Sequence, residues 1–291
     1  MTPRRITLHE AAERLGVHYM TAYRYVRTGR LPAERDGVQW LIDPVEVERL
    51  TIQPSPRPRG RARAVAPARL AGRLVAGDEA GAWAIVESAL ASGADADDVL
   101  VNVVAAAMRE IGDGWAAGSL DVSDEHRASV VVQRIVARMA PRFTRRGRKR
   151  GTIVLGAPAG EEHALPCAIL ADLLRAGHFE VHDLGADTPT ASFPIAADHA
   201  ERLVGVMIGV TTQGNDGAAS AAFEALQRAG VSVPLFVGGA AVTDADHARR
   251  LGADHWTGGD GRAAVAVVER VLITGPRSPR RTQASRPSDA D

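Results

Sequence analysis

The chain has 291 residues, with 35 Lys and Arg against 35 Asp and Glu; 45% of it is hydrophobic and 24% charged. That is a globular balance, long enough for two domains or three small ones. Neutrality would exclude a nucleic-acid binder only if the charge were evenly spread, and it is not. Residues 1–69 carry a net +6, 70–150 balance, 151–275 carry −8 and 276–291 carry +2. Such asymmetry points to a nucleic-acid-binding part joined to something else. A single cysteine, Cys167, excludes a disulfide framework and multi-cysteine metal sites and suits a reducing cytoplasm. No apolar run reaches the ~18 residues of a membrane span. The amino terminus, MTPRRITLHE, lacks the apolar core of a secretory signal, so a cytoplasmic location is expected.

In chain order, residues 1–53 are short and punctuated. Thr7 and Glu10 form a capping box before an apolar stripe that ends near Leu15-Gly16. A second helix is predicted over 17–28, stopped by Gly29. Asp36-Gly37 is a hairpin signal between two short extended pieces. Asp43-Pro44-Val45-Glu46 then opens another helix, with an Asp cap, Pro at the first position and Glu three residues after the cap. Residues 54–67, rich in Pro and Arg, are expected to form an extended, solvated linker. Over 68–147, helical spacing of Ala, Leu and Val predicts four helices (69–76, 79–92, 97–115 and 124–139), enough for a bundle. The basic run 141–151 precedes an apolar stretch and is expected to be a solvated connector, with DNA contact the lesser alternative. Over 148–275, strand runs at 152–157, 180–184, 203–210, 234–237 and 254–257 alternate with helical segments. This is the pattern of a Rossmann-like, doubly wound parallel sheet, which binds ligands in the loops beyond its strands' carboxyl ends. Residues 276–291 are expected to be disordered.

The fold class expected is therefore multidomain: a helix-turn-helix with a small β wing, a four-helix bundle and a doubly wound α/β domain. The first module carries the turn Ala12, Leu15, Gly16, Val17, followed by TAYRYVRTGRLPA. These residues resemble the helix-turn-helix of the MerR and excisionase-like families over nearly the whole module. Arg24, Arg27 and Arg30 lie three apart, so they share roughly one side of the second helix and its end, where they can meet phosphates or guanine edges. Ala22, Tyr25 and Val26 can pack inward, and His18, Tyr19 and Thr21 lie at the helix start, which points toward bases in this docking mode. So small a module rarely holds an operator alone, so a homo-oligomer, dimer or tetramer, on double-stranded DNA is expected.

The first α/β strand ends in GAPAGEEH, with Glu161-x-His163-x-x-Pro166; the third ends in Gly209-Val210-Thr211 and the fourth in Gly238-Gly239. These residues resemble the cobalamin-binding domain of methionine synthase and its relatives. The resemblance implies that His163 is the lower axial ligand of cobalt and that a displaced nucleotide tail enters a slot beside the sheet. Imidazole suits a transition metal, and Glu161 can fix its tautomer from the other ring nitrogen. Gly209, Gly238 and Gly239 leave room for the tail and allow close backbone approach. Glu161 stands where the family has Asp, Pro166 where it has Gly, and Gly209 where it has Ser.

Between the modules, Trp115 is followed after nine residues by Glu125-His126, with Val122 at the matching spacing. This resembles the signature of light-sensing, adenosylcobalamin-dependent repressors of the CarH/LitR kind, in which a four-helix bundle caps the upper face of the corrin. The resemblance implies a photoreceptor regulator, in which Trp115 stacks over the adenosyl group and Glu125 and His126 reach its polar atoms. Cofactor and light would then set oligomeric state and operator affinity. Ala116 stands where the family has the histidine that takes cobalt after photolysis. Two alternatives stay open. One is a regulator with an altered or lost cobalamin site that senses a protein partner or another tetrapyrrole; the other is a corrinoid methyl-carrier protein. No Ser/His/Asp or paired-carboxylate set has supporting context, so no catalytic residues are expected and the chain is not expected to be an enzyme. Asp97-Asp98 do not aim at one point, and Gly258-Gly259-Asp260-Gly261 is a glycine-rich turn that could line the corrin edge.

Overall fold

A computed structural model of the chain describes residues 5–15, 19–27, 31–37, 39–52 and 61–274. The chain divides into two compact units, residues 1–63 and 64–291. In the first, a short strand β1 (Ile6–Thr7) leads into α1 (Leu8–Arg14), followed by α2 (Tyr19–Arg27), β2 (Ala33–Asp36), β3 (Gln39–Ile42) and α3 (Pro44–Ile52). Thr7 and Glu10 cap α1 reciprocally, as the capping-box spacing requires. The Asp43 carboxylate accepts the Val45 N–H at 2.9 Å. The three strands form an antiparallel sheet in the order β1-β3-β2, and Ile42 pairs with both Ile6 and Ala33. The core is Ile6, Leu8, Ala11, Ala12, Ala22, Leu31, Ile42 and Val47.

Most of α4 (Arg61–Val75) belongs to the second unit, and this helix begins inside the stretch 54–67 expected to be extended. Arg and Ala are strong helix formers, and the segment from Arg61 is helical despite the lost hydrogen bond and the ring clash that an interior Pro67 brings. Then come α5 (Glu79–Ala91), α6 (Ala96–Val99), a π-helical turn Leu100–Val104, α7 (Ala105–Ala116) and α8 (Val122–Met139). The helix expected over 97–115 is thus interrupted by a wide turn that periodicity did not signal. The bundle core of Leu70, Leu74, Val86, Leu100, Val104, Ile111, Val132 and Ile135 runs on into Ile169 and Leu173 of the α/β part.

That part alternates β4 (Thr152–Gly156), α9 (Ala164–Ala176), β5 (Glu180–Asp183), α10 (Ser192–His199), β6 (Leu203–Gly209), α11 (Asp216–Arg228), β7 (Leu235–Gly238), α12 (Ala245–Leu251), β8 (His255–Trp256) and α13 (Gly261–Thr274). All strand pairs are parallel, in the order β5-β4-β6-β7-β8. One face is covered by Cys167, Ala171 and Leu174 of α9 and Ala264 and Val268 of α13. The other is covered by Phe193, Ala219, Phe223, Leu226 and Leu251 from α10 to α12. The strand order reverses between β4 and β6, which makes the loops after those two strands the ligand-binding crevice of an open α/β sheet. Among the described residues no helix is long and apolar enough to cross a membrane.

Candidate functional site

The loop after β4 delivers Glu161 and His163 to that crevice. Glu161 is fully buried and its carboxylate is surrounded by donors from the loop after β6. The Thr211 and Thr212 N–H groups both donate to Oε2 at 2.7 Å, the Asn215 amide at 3.3 Å, and the Thr212 hydroxyl donates to Oε1 at 3.1 Å. His163 completes the set, with Nδ1 2.6 Å from Oε1 and its own N–H at 3.3 Å. Burial alone would raise the carboxyl pKa, but the bonds from Thr212, His163 and Thr211 outweigh it and bring the group down to about 2. An ionised Glu161 accepts from Nδ1 and orients the ring, so Nε2 is the nitrogen turned away from the carboxylate. Among the described residues nothing bonds Nε2, and the side chain is 55% exposed. An imidazole fixed at Nδ1, with Nε2 unbonded among the described residues, offers the nitrogen donor that a cobalt lower ligand requires, so these residues fit the group the resemblance implies.

The glycines have sharper roles than leaving room for a tail. At Gly239, φ is +114° and a Cβ would overlap the Val210 carbonyl oxygen. At Gly238 a Cβ would overlap the Thr257 hydroxyl. Backbone bonds from Val210 N–H to Gly238 O at 2.8 Å and from Gly239 N–H to Gly258 O at 3.0 Å tie these three loops together. At Gly209 a Cβ would lie 2.9 Å from Cys167 Sγ, so the buried Cys167 occupies the volume beside it. Burial first, with the nearby carboxylates of Asp183 and Glu161, pushes the Cys167 thiol up to about 12. Thr211 enters through its backbone, while Thr212, Asn215 and Cys167 are site residues that the motif comparison missed. Thr212 and Asn215 follow the matched strand end closely, so a search of that loop for carboxylate partners would have found them.

The bundle residues lie elsewhere, around the turn from α7 to α8. Trp115 and Val122 are 54% and 57% exposed. Glu125 accepts the Ser129 hydroxyl at 2.7 Å and stands 3.0 Å from His126 Nδ1. None of the four bonds to the His163 loop. Asp97 and Asp98, which looked undirected, face Arg262 at the start of α13, at 3.8 and 2.6 Å. Asp260 caps that helix through the Arg262 and Ala263 N–H groups, so the glycine-rich turn is a helix cap. In the first unit, Ala22 is buried, Tyr25 and Val26 are half-buried against the core, and Tyr19 is exposed. His18 and Arg30 lie outside the described residues, as do the side chains of Thr21, Arg24 and Arg27.

Comparison with known proteins agrees with this division. Residues 68–139 and 151–269 each match a B12 binding domain, and residues 6–51 match a helix-turn-helix domain. The chain is 30% identical over 201 residues to trimethylamine corrinoid protein 1 of Methanosarcina acetivorans, covering 67% of this chain and 89% of that one. It is 29% identical over 205 residues to trimethylamine corrinoid protein 2 of Methanosarcina mazei, covering 68% and 92%. The fold is that of the monomethylamine corrinoid protein of Methanosarcina barkeri, with a TM-score of 0.61 at 19% identity over 69% of this chain and 96% of that one. A helical bundle, a five-stranded parallel sheet and a carboxylate-held imidazole at its switch point thus occur in one chain. The chain is a cobalamin-binding member of the B12-binding corrinoid protein family, with a helix-turn-helix domain at its amino terminus.

Proposed function

We propose that the protein is a DNA-binding transcriptional regulator, a repressor, that takes adenosylcobalamin between its bundle and its α/β sheet. The observation that carries this is the pairing, in one chain, of a helix-turn-helix domain over residues 6–51 with the Glu161–His163 ligand geometry. A methyl carrier needs only the second. When bound, the cofactor would supply a cobalt–carbon bond that light can cleave. His163 would hold the metal through Nε2, Glu161 would hold His163, and the Thr211–Thr212 amides would hold Glu161. Trp115, Val122, Glu125 and His126 would close over the opposite side once the bundle is ordered against the ligand. Cofactor and light would then set the oligomer, a dimer or tetramer, and several linked DNA-binding modules would raise operator affinity through effective concentration.

The test uses purified full-length protein loaded with adenosylcobalamin in the dark and DNA from upstream of its own reading frame. Retained colour after desalting, and DNA binding that changes after green light, are expected. A colourless protein would reject the cofactor; equal binding in dark and light would reject the switch.

A second reading, a corrinoid methyl carrier, is favoured by the names of the relatives, which are corrinoid proteins of trimethylamine and monomethylamine. It gives the amino-terminal domain no role. Methyl transfer from the loaded protein to a methyltransferase, with no DNA binding in any state, would establish it instead.

A further inference from the structure

The net −8 of residues 151–275 leaves out the basic run, residues 142–150, that leads into them. All five strands are parallel, so the loops after them lie along one rim and the segments leading into them along the other. The rim with the His163 loop carries Glu162, Asp187, Asp244 and Asp260 on those loops and Asp216 at the start of α11. The opposite rim is entered through residues 142–150, which hold Arg142, Arg145, Arg146, Arg148, Lys149 and Arg150 just before β4.

This basic segment is not a loose connector. Phe143 is buried in the bundle core. Lys149 Nζ donates to the Arg145 carbonyl at 3.1 Å, and the Arg202 guanidinium donates to the Lys149 and Arg150 carbonyls at 3.0 and 3.2 Å. Arg150 pairs with Glu269 and lies over the Phe179 ring. The backbone is therefore pinned at both ends. Yet Arg142, Arg145, Arg146 and Arg148 are exposed, and none makes an ion pair or side-chain hydrogen bond among the described residues. Three bundle arginines have carboxylate partners, Arg73 with Asp78, Arg127 with Asp124 and Arg134 with Glu79, while Arg69 and Arg109 are exposed without one among the described residues but stand singly rather than in a cluster. Four unpaired guanidinium groups on a fixed backbone repel one another, and a polyanion relieves that repulsion; the planar fork matches a phosphate.

We propose that the Arg142–Arg148 segment is a second DNA contact, to backbone phosphates and without base readout, on the rim facing away from the cofactor loops. It rests on the DNA-binding reading above. Cofactor and duplex would occupy opposite edges of one sheet and would not compete.

The experiment measures binding of the full-length protein to a mixed-sequence DNA duplex across a salt series. R145A/R146A is compared with R69A/R109A, a control with the same loss of charge at two exposed bundle positions. The rim variant should bind about 10- to 100-fold more weakly at 0.1 M salt, its slope of log K against log salt shallower by about 0.9 per arginine removed. The control should stay within about 3-fold of the parent by the same counter-ion argument. Circular dichroism and cobalamin retention should be unchanged in both, since these side chains are exposed and make no ion pair or side-chain hydrogen bond among the described residues. Equal losses in the two variants, or an unchanged slope in the rim variant, would overturn the rim contact while leaving the DNA-binding reading intact. Absence of duplex binding by the parent protein overturns both, and binding to phosphatidylserine vesicles in place of duplex would assign the arginines to a membrane surface instead.

Discussion

The His163 loop and the α7–α8 turn are the two halves of one expected cofactor site, and they are built to different degrees. Around His163 every polar group of the carboxylate is satisfied, the imidazole is fixed, and the three loop backbones that frame the crevice are hydrogen-bonded to one another. Around the α7–α8 turn, Trp115 and Val122 face outward and Glu125 and His126 bond only to neighbours on their own helix. The difference teaches where binding energy goes. The lower half needs no rearrangement to accept a metal; the upper half still has exposed apolar surface to bury. A ligand that bridges the two therefore has differential contacts with which to move the bundle, the condition for a ligand-driven switch. The ion pair of Asp98 with Arg262 and the π turn that follows Asp98 lie where bundle and sheet are fastened, and mid-helix π turns are frequent at functional sites.

Substitutions on the two halves should separate accordingly. The largest effect is expected at Gly239, where alanine meets both a left-handed backbone and the Val210 carbonyl; G239A should cost on the order of 4 kcal/mol in chemical denaturation. A stable G239A would mean that the crevice is not rigid, and the contrast would fail. Next, H163A should lose cobalamin on desalting, and E161Q should weaken retention about 10- to 100-fold while the apo fold survives, because the imidazole loses the carboxylate that orients it. Equal retention by E161Q would break the link from Glu161 to the metal.

G209S should destabilise by about 1–3 kcal/mol through contact with Cys167, and C167A should relieve it; an additive double variant would disprove the coupling. D121A removes the cap of α8, whose carboxylate accepts from Ser123 and Asp124, and should lower Tm slightly. The side-chain bond from Ser123 and the backbone bond from Asp124 hold that carboxyl below its ordinary 3.8, so its contribution is present above that pH and fades as pH falls beneath it. A Tm difference between D121A and parent that persists at pH 2 would contradict this. Smallest of all, W115A should change apo stability by no more than about 0.5 kcal/mol, as an exposed side chain does, while lowering adenosylcobalamin retention. Strong apo destabilisation by W115A would mean that the upper half is already packed.

Much of this was legible in residue order. Strand runs, capping boxes at Thr7, the hairpin at Asp36-Gly37 and the Glu161-x-His163 spacing are local signals, because a cap or a strand end is decided by neighbours a few positions away. The start of α4 was misjudged because Pro and Arg suggested an extended chain, whereas helix propensity from Arg61 onward prevails. The π turn at Leu100–Val104 carries no such signal, since its buried apolar residues fit an α-helix equally well.

Sequence alone determined the order of the modules and the pairing of His163 with the carboxylate two residues before it. Tertiary structure decided what those residues do for one another: that Thr211, Thr212 and Asn215 arrive from 50 or more positions away to hold Glu161, that Cys167 fills the space beside Gly209, and that the basic run 142–150 enters the sheet on the rim away from the His163 loop. The reason is the parallel sheet itself. It gathers every strand-following loop on one edge and every strand-leading segment on the other, a sorting by direction that a linear count of charges cannot contain.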